Sequence, residues 1–203
     1  MSLESLRERF LRLFAQPADV AFDGLVARYG EVTRAYHTLD HIADCLAELD
    51  ASPPIAEARA VELAIWWHDA VYEVASSENE RRSAELAERD LALLGEPSEL
   101  RYEVGRLILL TAGHAVAEGD DAGARLVGID LSVLGRSAEA YDAYAAAIRQ
   151  EYAQVPDALY RPGRARILQG FLEGPIYADP YFAQRYEAQA RANLQREIAL
   201  LSE

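Results

Sequence analysis

Cysteine is nearly absent from this chain. The single Cys45 cannot form an internal disulfide, and one thiol excludes a thiolate metal cluster. Long apolar runs are missing as well. No stretch reaches the roughly 18 uncharged apolar residues that a membrane span needs, so no membrane association is expected. The opening MSLESLRERF lacks the basic-then-apolar pattern of a secretion signal, and a reducing cytoplasm is the expected location. Positive charge is scarce: 20 Lys and Arg stand against 34 Asp and Glu, a net charge of −14. Such a surface repels long nucleic acid, whose binding rests mainly on neutralising phosphates, and it equally disfavours anionic membranes. Any phosphate substrate must therefore be drawn in locally, by a metal or by a few arginines in a cleft, and a small molecule is the expected partner.

What is present is helical. Ala, Leu, Glu and Arg dominate, and apolar residues recur at three- and four-residue spacings. No segment alternates with period two between turn signals, so no strand is expected. With 51% hydrophobic and 27% charged residues over 203 positions, the chain reads as globular, with one helical domain spanning 1–203. The pattern predicts helices near 3–14, 18–28 (stopped by Gly30), 36–49, 55–73, 78–94 and 98–115, with Ser98 as N-cap. After a loop over 118–123 it predicts 124–134, 137–154, 156–172 and a last helix to about 200. The last one is opened by Asp179-Pro180.

The four histidines stand in suggestive places. His37 and His41 are four apart, which on one helix puts both imidazoles on one face, with Asp44 close to that face. His68-Asp69 ends the apolar run Ala64-Ile65-Trp66-Trp67, where a carboxylate needs a partner. Asp130 is a lone acid within Val127-Gly128-Ile129-Asp130-Leu131. His114 follows Leu109-Leu110-Thr111-Ala112-Gly113. Each admits a plain structural reading. His37 and His41 suit an exposed amphipathic face, and His68-Asp69 the wet end of a buried helix. Asp130 would then pair with Arg125 or Arg136, and His114 would serve as a helix C-terminal cation. The order in which they occur, His, then His-Asp, then a distant Asp, argues for one site. Imidazoles with carboxylates suit Mn, Fe, Co, Ni or Zn, with Mg also admitted, better than Ca.

This order resembles the HD superfamily of metal-dependent phosphohydrolases, whose signature is H…HD…D on a helical bundle. Further stretches resemble one bacterial subgroup of it: Tyr36-His37-xxx-His41, His68-Asp69-Ala-Val-Tyr72, Asn79-Glu80-xx-Ser83-Ala84, Asp130-Leu131-Ser132, Ile148-Arg149-xx-Tyr152, Tyr160 and Gly163-Arg164. The resemblance implies an all-α HD-domain-like bundle in which His41, His68, Asp69 and Asp130 hold a divalent metal. It implies that His37 protonates a leaving oxygen, and that Glu73 or Glu80 orients water. His114 becomes a residue behind the ligands or a ligand to a second metal. Arg149 and Arg164 are candidates for the substrate phosphate, because guanidinium pairs bidentately with phosphate oxygens. Surface pairing of Arg149 with Glu151 or Asp142 is the competing reading.

The expected activity is hydrolysis of a small phosphate ester, a nucleotide or related metabolite. The alternatives are a non-catalytic module that binds metal or nucleotide, a di-iron oxidase, which needs more ligands than the chain offers, and a plain helical interaction protein. No motif fixes the substrate or the oligomeric state.

Overall fold

The computed structural model describes residues 1–202. Ten α-helices follow one another: α1 Leu3–Leu11, α2 Asp19–Tyr29, α3 Leu39–Ala51, α4 Ala58–Trp67, α5 Asn79–Leu93, α6 Ser98–Leu110, α7 Asp121–Asp130, α8 Ala138–Glu151, α9 Asp157–Leu172 and α10 Pro180–Leu201. A 3₁₀ turn, Leu131–Gly135, joins α7 to α8. No strand occurs among the described residues, and none of the described helices is long and apolar enough to cross a membrane. The protein is an all-helical bundle.

Local chemistry starts several helices. Ser2, Thr38, Asp120, Ser137 and Asp179 each accept a hydrogen bond from a backbone N–H in the first turn of α1, α3, α7, α8 and α10, satisfying donors that have no partner within the helix. Pro180 at the first position of α10 gives up no useful N–H. The expected cap at Ser98 is a correction. Pro97 holds that position, Ser98 is already helical, and its hydroxyl donates to Glu99 instead.

The centre of the bundle is α4, buried from Ala60 through Trp67 except for the half-buried Glu62 and packed against α3, α5, α6 and α7. A helix apolar on nearly every side from Ala60 onward belongs in the interior. Trp66 and Trp67 meet Phe10 of α1 at ring-centroid distances of 5.0 and 5.5 Å, and Phe14 and Phe22 complete the aromatic cluster. Phe10→Ala would empty a fully buried ring site, and a loss of about 3–5 kcal/mol in urea-measured stability is expected.

The 3₁₀ turn is held from α10. Asn193 donates to the carbonyls of Leu134 and Arg136, and the Tyr177 hydroxyl donates to that of Leu131. At Gly135 an added Cβ would lie 2.4 Å from Tyr186 Cβ and 2.8–2.9 Å from its backbone. Backbone cannot swing aside, so only glycine allows this approach of the turn to α10.

Candidate metal centre

Two histidines and two aspartates from separate segments converge. His41 comes from the first turn of α3, His68 caps the C-terminus of α4, Asp69 follows it in the turn, and Asp130 ends α7. One ligand atom from each lies within 4.8 Å of the others. His41 Nε2 is 3.2 Å from His68 Nε2, 3.6 Å from Asp69 Oδ2 and 3.3 Å from Asp130 Oδ1. His68 Nε2 is 3.0 Å from Asp69 Oδ2 and 3.5 Å from Asp130 Oδ1. Donor atoms held about 2.1 Å from one ion sit roughly 3.0–3.5 Å from their neighbours, so the spacing suits a single divalent cation.

The donor chemistry agrees. The His68 Nδ1–H donates to the Ile65 carbonyl at 2.9 Å, which leaves Nε2 as the nitrogen facing the cluster. Burial opposes charge on His68, Asp69 and Asp130. Even so, opposite charges hold Asp69 and Asp130 below the usual carboxylate range and His68 well above the usual imidazole value. His68 lifts its own pKa chiefly through Asp69. Asp69 is lowered by His68 and then His37, and Asp130 by His114, His41 and His68. Two largely buried carboxylates thus demand positive charge, which a divalent cation supplies as well as imidazole protons do.

The ends of α4 and α3 explain why both members of the His-Asp pair reach one point. The helix expected over 55–73 stops at Trp67, so Asp69 is freed from the 100° step between helical neighbours. Arg34, wholly buried, fixes the turn. Its guanidinium donates to the carbonyls of His37, Asp69 and Ala70 at 3.2, 2.6 and 3.1 Å. It ties the segment before α3 to the turn after α4. Besides a local pair with Glu31 at 3.1 Å, its partners are backbone oxygens up to 36 residues away, which no local feature of the sequence announces.

His37 is not on a helix with His41, because α3 begins at Leu39. Its ring nonetheless stands 6.1 Å from that of His41, stacked on Tyr72 at 4.1 Å. The partner of His37 is Glu151 at the end of α8. Glu151 Oε1 accepts from the backbone N–H groups of Ala35, Tyr36 and His37 at 2.8, 2.8 and 3.0 Å, and Oε2 accepts from His37 Nδ1 at 2.7 Å. Burial opposes charge on His37, but Asp69 and then the Glu151 hydrogen bond outweigh it and raise its pKa. Glu151 is likewise opposed by burial yet lowered to about 2, chiefly by His37.

His114 donates from Nε2 to the second oxygen of Asp130 at 3.3 Å. It sits at φ +53°, an uncommon conformation for a residue with a side chain, just past the end of α6. There its N–H closes on the Leu110 carbonyl at 2.8 Å. Asp130 has neither of the arginines considered for it. Arg125 pairs with Asp179 and Arg136 with Glu48. Asp44 lies out toward Arg136.

Over the cluster opens a cavity of about 440 Å³. His37, Glu80, His114, Asp130, Tyr152, Tyr160 and Arg164 line it. Two expected site residues lie elsewhere. Glu73 is 70% exposed, pairs with Arg82 and does not line the cavity. Arg149 donates to the carbonyls of Tyr152 and Val155 and to Asp157, and lies 4.5 Å over the Tyr160 ring. It staples the turn from α8 to α9 and is not free for a phosphate. Its partner is neither Glu151 nor Asp142. Arg164 does line the cavity, but Glu197 takes its Nε at 2.9 Å. Glu73→Ala is therefore expected to keep any activity within about twofold, the small effect usual for a surface change, while Glu80→Ala alters the cavity wall. Side-by-side rate measurement of the two variants checks this.

Fold and site together define an all-helical protein with a histidine–aspartate cluster able to hold a metal ion. No protein-family model matches the chain, and no curated protein or solved structure matches it either.

Proposed function

We propose that this protein is a metal-dependent phosphohydrolase acting on a small phosphate ester. The observation that carries the reading is the convergence of His41, His68, Asp69 and Asp130 beneath a cavity that also presents His37. A divalent ion held by those four residues would supply Lewis-acid stabilisation of phosphoryl charge and lower the pKa of bound water. The remaining work falls to the chain. Glu151 holds His37 by Nδ1, so Nε2 is left to meet the substrate and to give a proton to a leaving oxygen. With a cation offsetting Asp69, Glu151 becomes the main group keeping His37 protonated. Glu80, on the cavity wall, is the acid placed to orient water.

The test is metal analysis of the wild type beside Asp69→Ala, with phosphate release measured for both after adding Mn. Metal near one per chain, lost in the variant together with hydrolysis, is the expected result. Metal retained without turnover on any ester would replace this reading with that of a binding module. No metal in either protein would remove the proposed centre.

A further inference from the structure

The cavity has a composition that bears on what it can hold. Its wall is mainly apolar, contributed by Leu131, Val133, Leu134, Ile148, Ile167 and Phe171 together with tyrosine rings. Among the lining side chains Arg164 is the sole arginine or lysine. That charge is already matched, because Glu197 accepts from Nε and Nη2 at 2.9 and 3.2 Å, while the Tyr144 hydroxyl takes a third contact from Nη2 at 3.3 Å. Neither histidine of the wall stands free: His37 is paired with Glu151 at 2.7 Å and His114 with Asp130 at 3.3 Å. Glu80 adds an acid of its own to the lining.

We propose that the substrate is a phosphate monoester with an aromatic or otherwise apolar body and no second phosphate. This rests on the phosphohydrolase reading and narrows it. A phosphate monoester carries about −1.5 to −2 at pH 7, which one divalent centre and the His37 proton can meet. Each further phosphate adds negative charge for which the wall holds no unpaired arginine or lysine, in a chain of net charge −14. A sugar body fits no better. Each hydroxyl moved from water to an apolar wall without a partner costs on the order of 1–3 kcal/mol. Flat rings, in contrast, meet Tyr152, Tyr160 and Phe171, and 440 Å³ is ample for a bicyclic ring with its phosphate. In the reaction a water oxygen forms the new bond to phosphorus. The ester P–O bond breaks with its electron pair on the leaving oxygen, which takes a proton, and inorganic phosphate and a phenol or alcohol result.

The experiment compares kcat/KM for a naphthyl phosphate whose leaving oxygen is alkyl, 1-naphthylmethyl phosphate, with that for glycerol phosphate, AMP, ADP and ATP on Mn-supplemented protein, and measures the affinity of 1-naphthylphosphonate and of methylene-bridged ADP by calorimetry. The expected result is naphthylmethyl phosphate at least about tenfold above glycerol phosphate, the effect of roughly 1.4 kcal/mol of apolar contact, with ADP and ATP lowest. The phosphonate should bind more tightly than the ADP analogue. Leu159 and Ile167 are 67% and 57% exposed at the rim, so Leu159→Arg and Ile167→Asp can be made without opening the core. The arginine should raise the rate on ADP relative to naphthylmethyl phosphate, and the aspartate should weaken the phosphonate. ADP, ATP or glycerol phosphate as the best substrate would overturn the inference and leave the hydrolase intact. If no ester is cleaved, the hydrolase reading fails, and the order of the two affinities still decides what the cavity prefers.

Discussion

Asp130→Ala is expected to abolish metal binding and, with it, at least about 10³-fold of any phosphate release, because it removes a ligand of the cation that would offset the negative charge developing on the phosphoryl oxygens. Asp130 is the hinge of the cluster. Oδ1 faces His41 and His68 while Oδ2 holds His114. The alanine therefore loses a donor and frees His114 as well. Loss of a group merely supporting a ligand costs about 10–100-fold in metal affinity, and loss of the ligand should cost more. The same variant separates binding from folding. Added Mn at about 100 times its Kd should stabilise the wild type by about 2.7 kcal/mol, seen as a rise in Tm, and should leave Asp130→Ala unmoved. The pH dependence has a definite sign. His68, raised well above its ordinary value by Asp69, must lose its proton before Nε2 can bind a cation, so Mn affinity rises with pH through that range and binding releases protons. Unchanged metal content in Asp130→Ala, or an affinity indifferent to pH, would remove Asp130 and His68 from the centre.

The helices were legible because their causes are local. Ser137 and Asp179 act within one turn, and the apolar run of α4 is buried through Trp67 with the lone exception of half-buried Glu62. The members of the histidine–aspartate cluster stood out for a related reason: a histidine or aspartate set into an apolar stretch, as at His68, Asp69 and Asp130, calls for a partner wherever it ends up. Boundaries were less so. The pattern carries helices past 67 and 110, where the structure stops them; no breaker follows Trp67, and after Leu110 only Gly113 marks the stop. In each case the stop has a tertiary cause, since Arg34 takes the carbonyls beyond Trp67 and His114 turns toward Asp130. The substrate side was the least legible. Arg149 and Arg164 look alike in sequence, yet one pins a turn and the other answers Glu197, 33 residues on. Glu151 gave no sign of its role, because its four partners lie 114–116 residues back and three of them are backbone N–H groups.

That hidden carboxylate is where the second large effect is expected. Glu151→Gln should lower kcat by about 10²-fold with metal content unchanged, the magnitude of a positioned proton donor. The amide oxygen can replace Oε1 and keep the N–H bonds of Ala35, Tyr36 and His37. The amide nitrogen then stands where Oε2 accepted from His37 Nδ1. Two donors cannot face each other, so the imidazole must turn its Nδ1 lone pair to the amide and remain neutral. The sign of the pH effect follows. His37 in the wild type has a raised pKa, so its proton is present below that value and lost as pH rises through it. In the glutamine variant the pKa falls, and the alkaline limb of kcat/KM moves to lower pH. Glu151 itself, lowered to about 2, stays charged throughout the assay range and adds no limb of its own. Glu151→Ala distinguishes positioning from folding. It strands three backbone donors and should cost about 3 kcal/mol or more of stability, whereas the glutamine keeps most of it. A glutamine variant with the wild-type pH profile and rate would show that His37 moves no proton. A shifted alkaline limb with intact metal would place the proton donor of the reaction at His37 and its control at the end of α8.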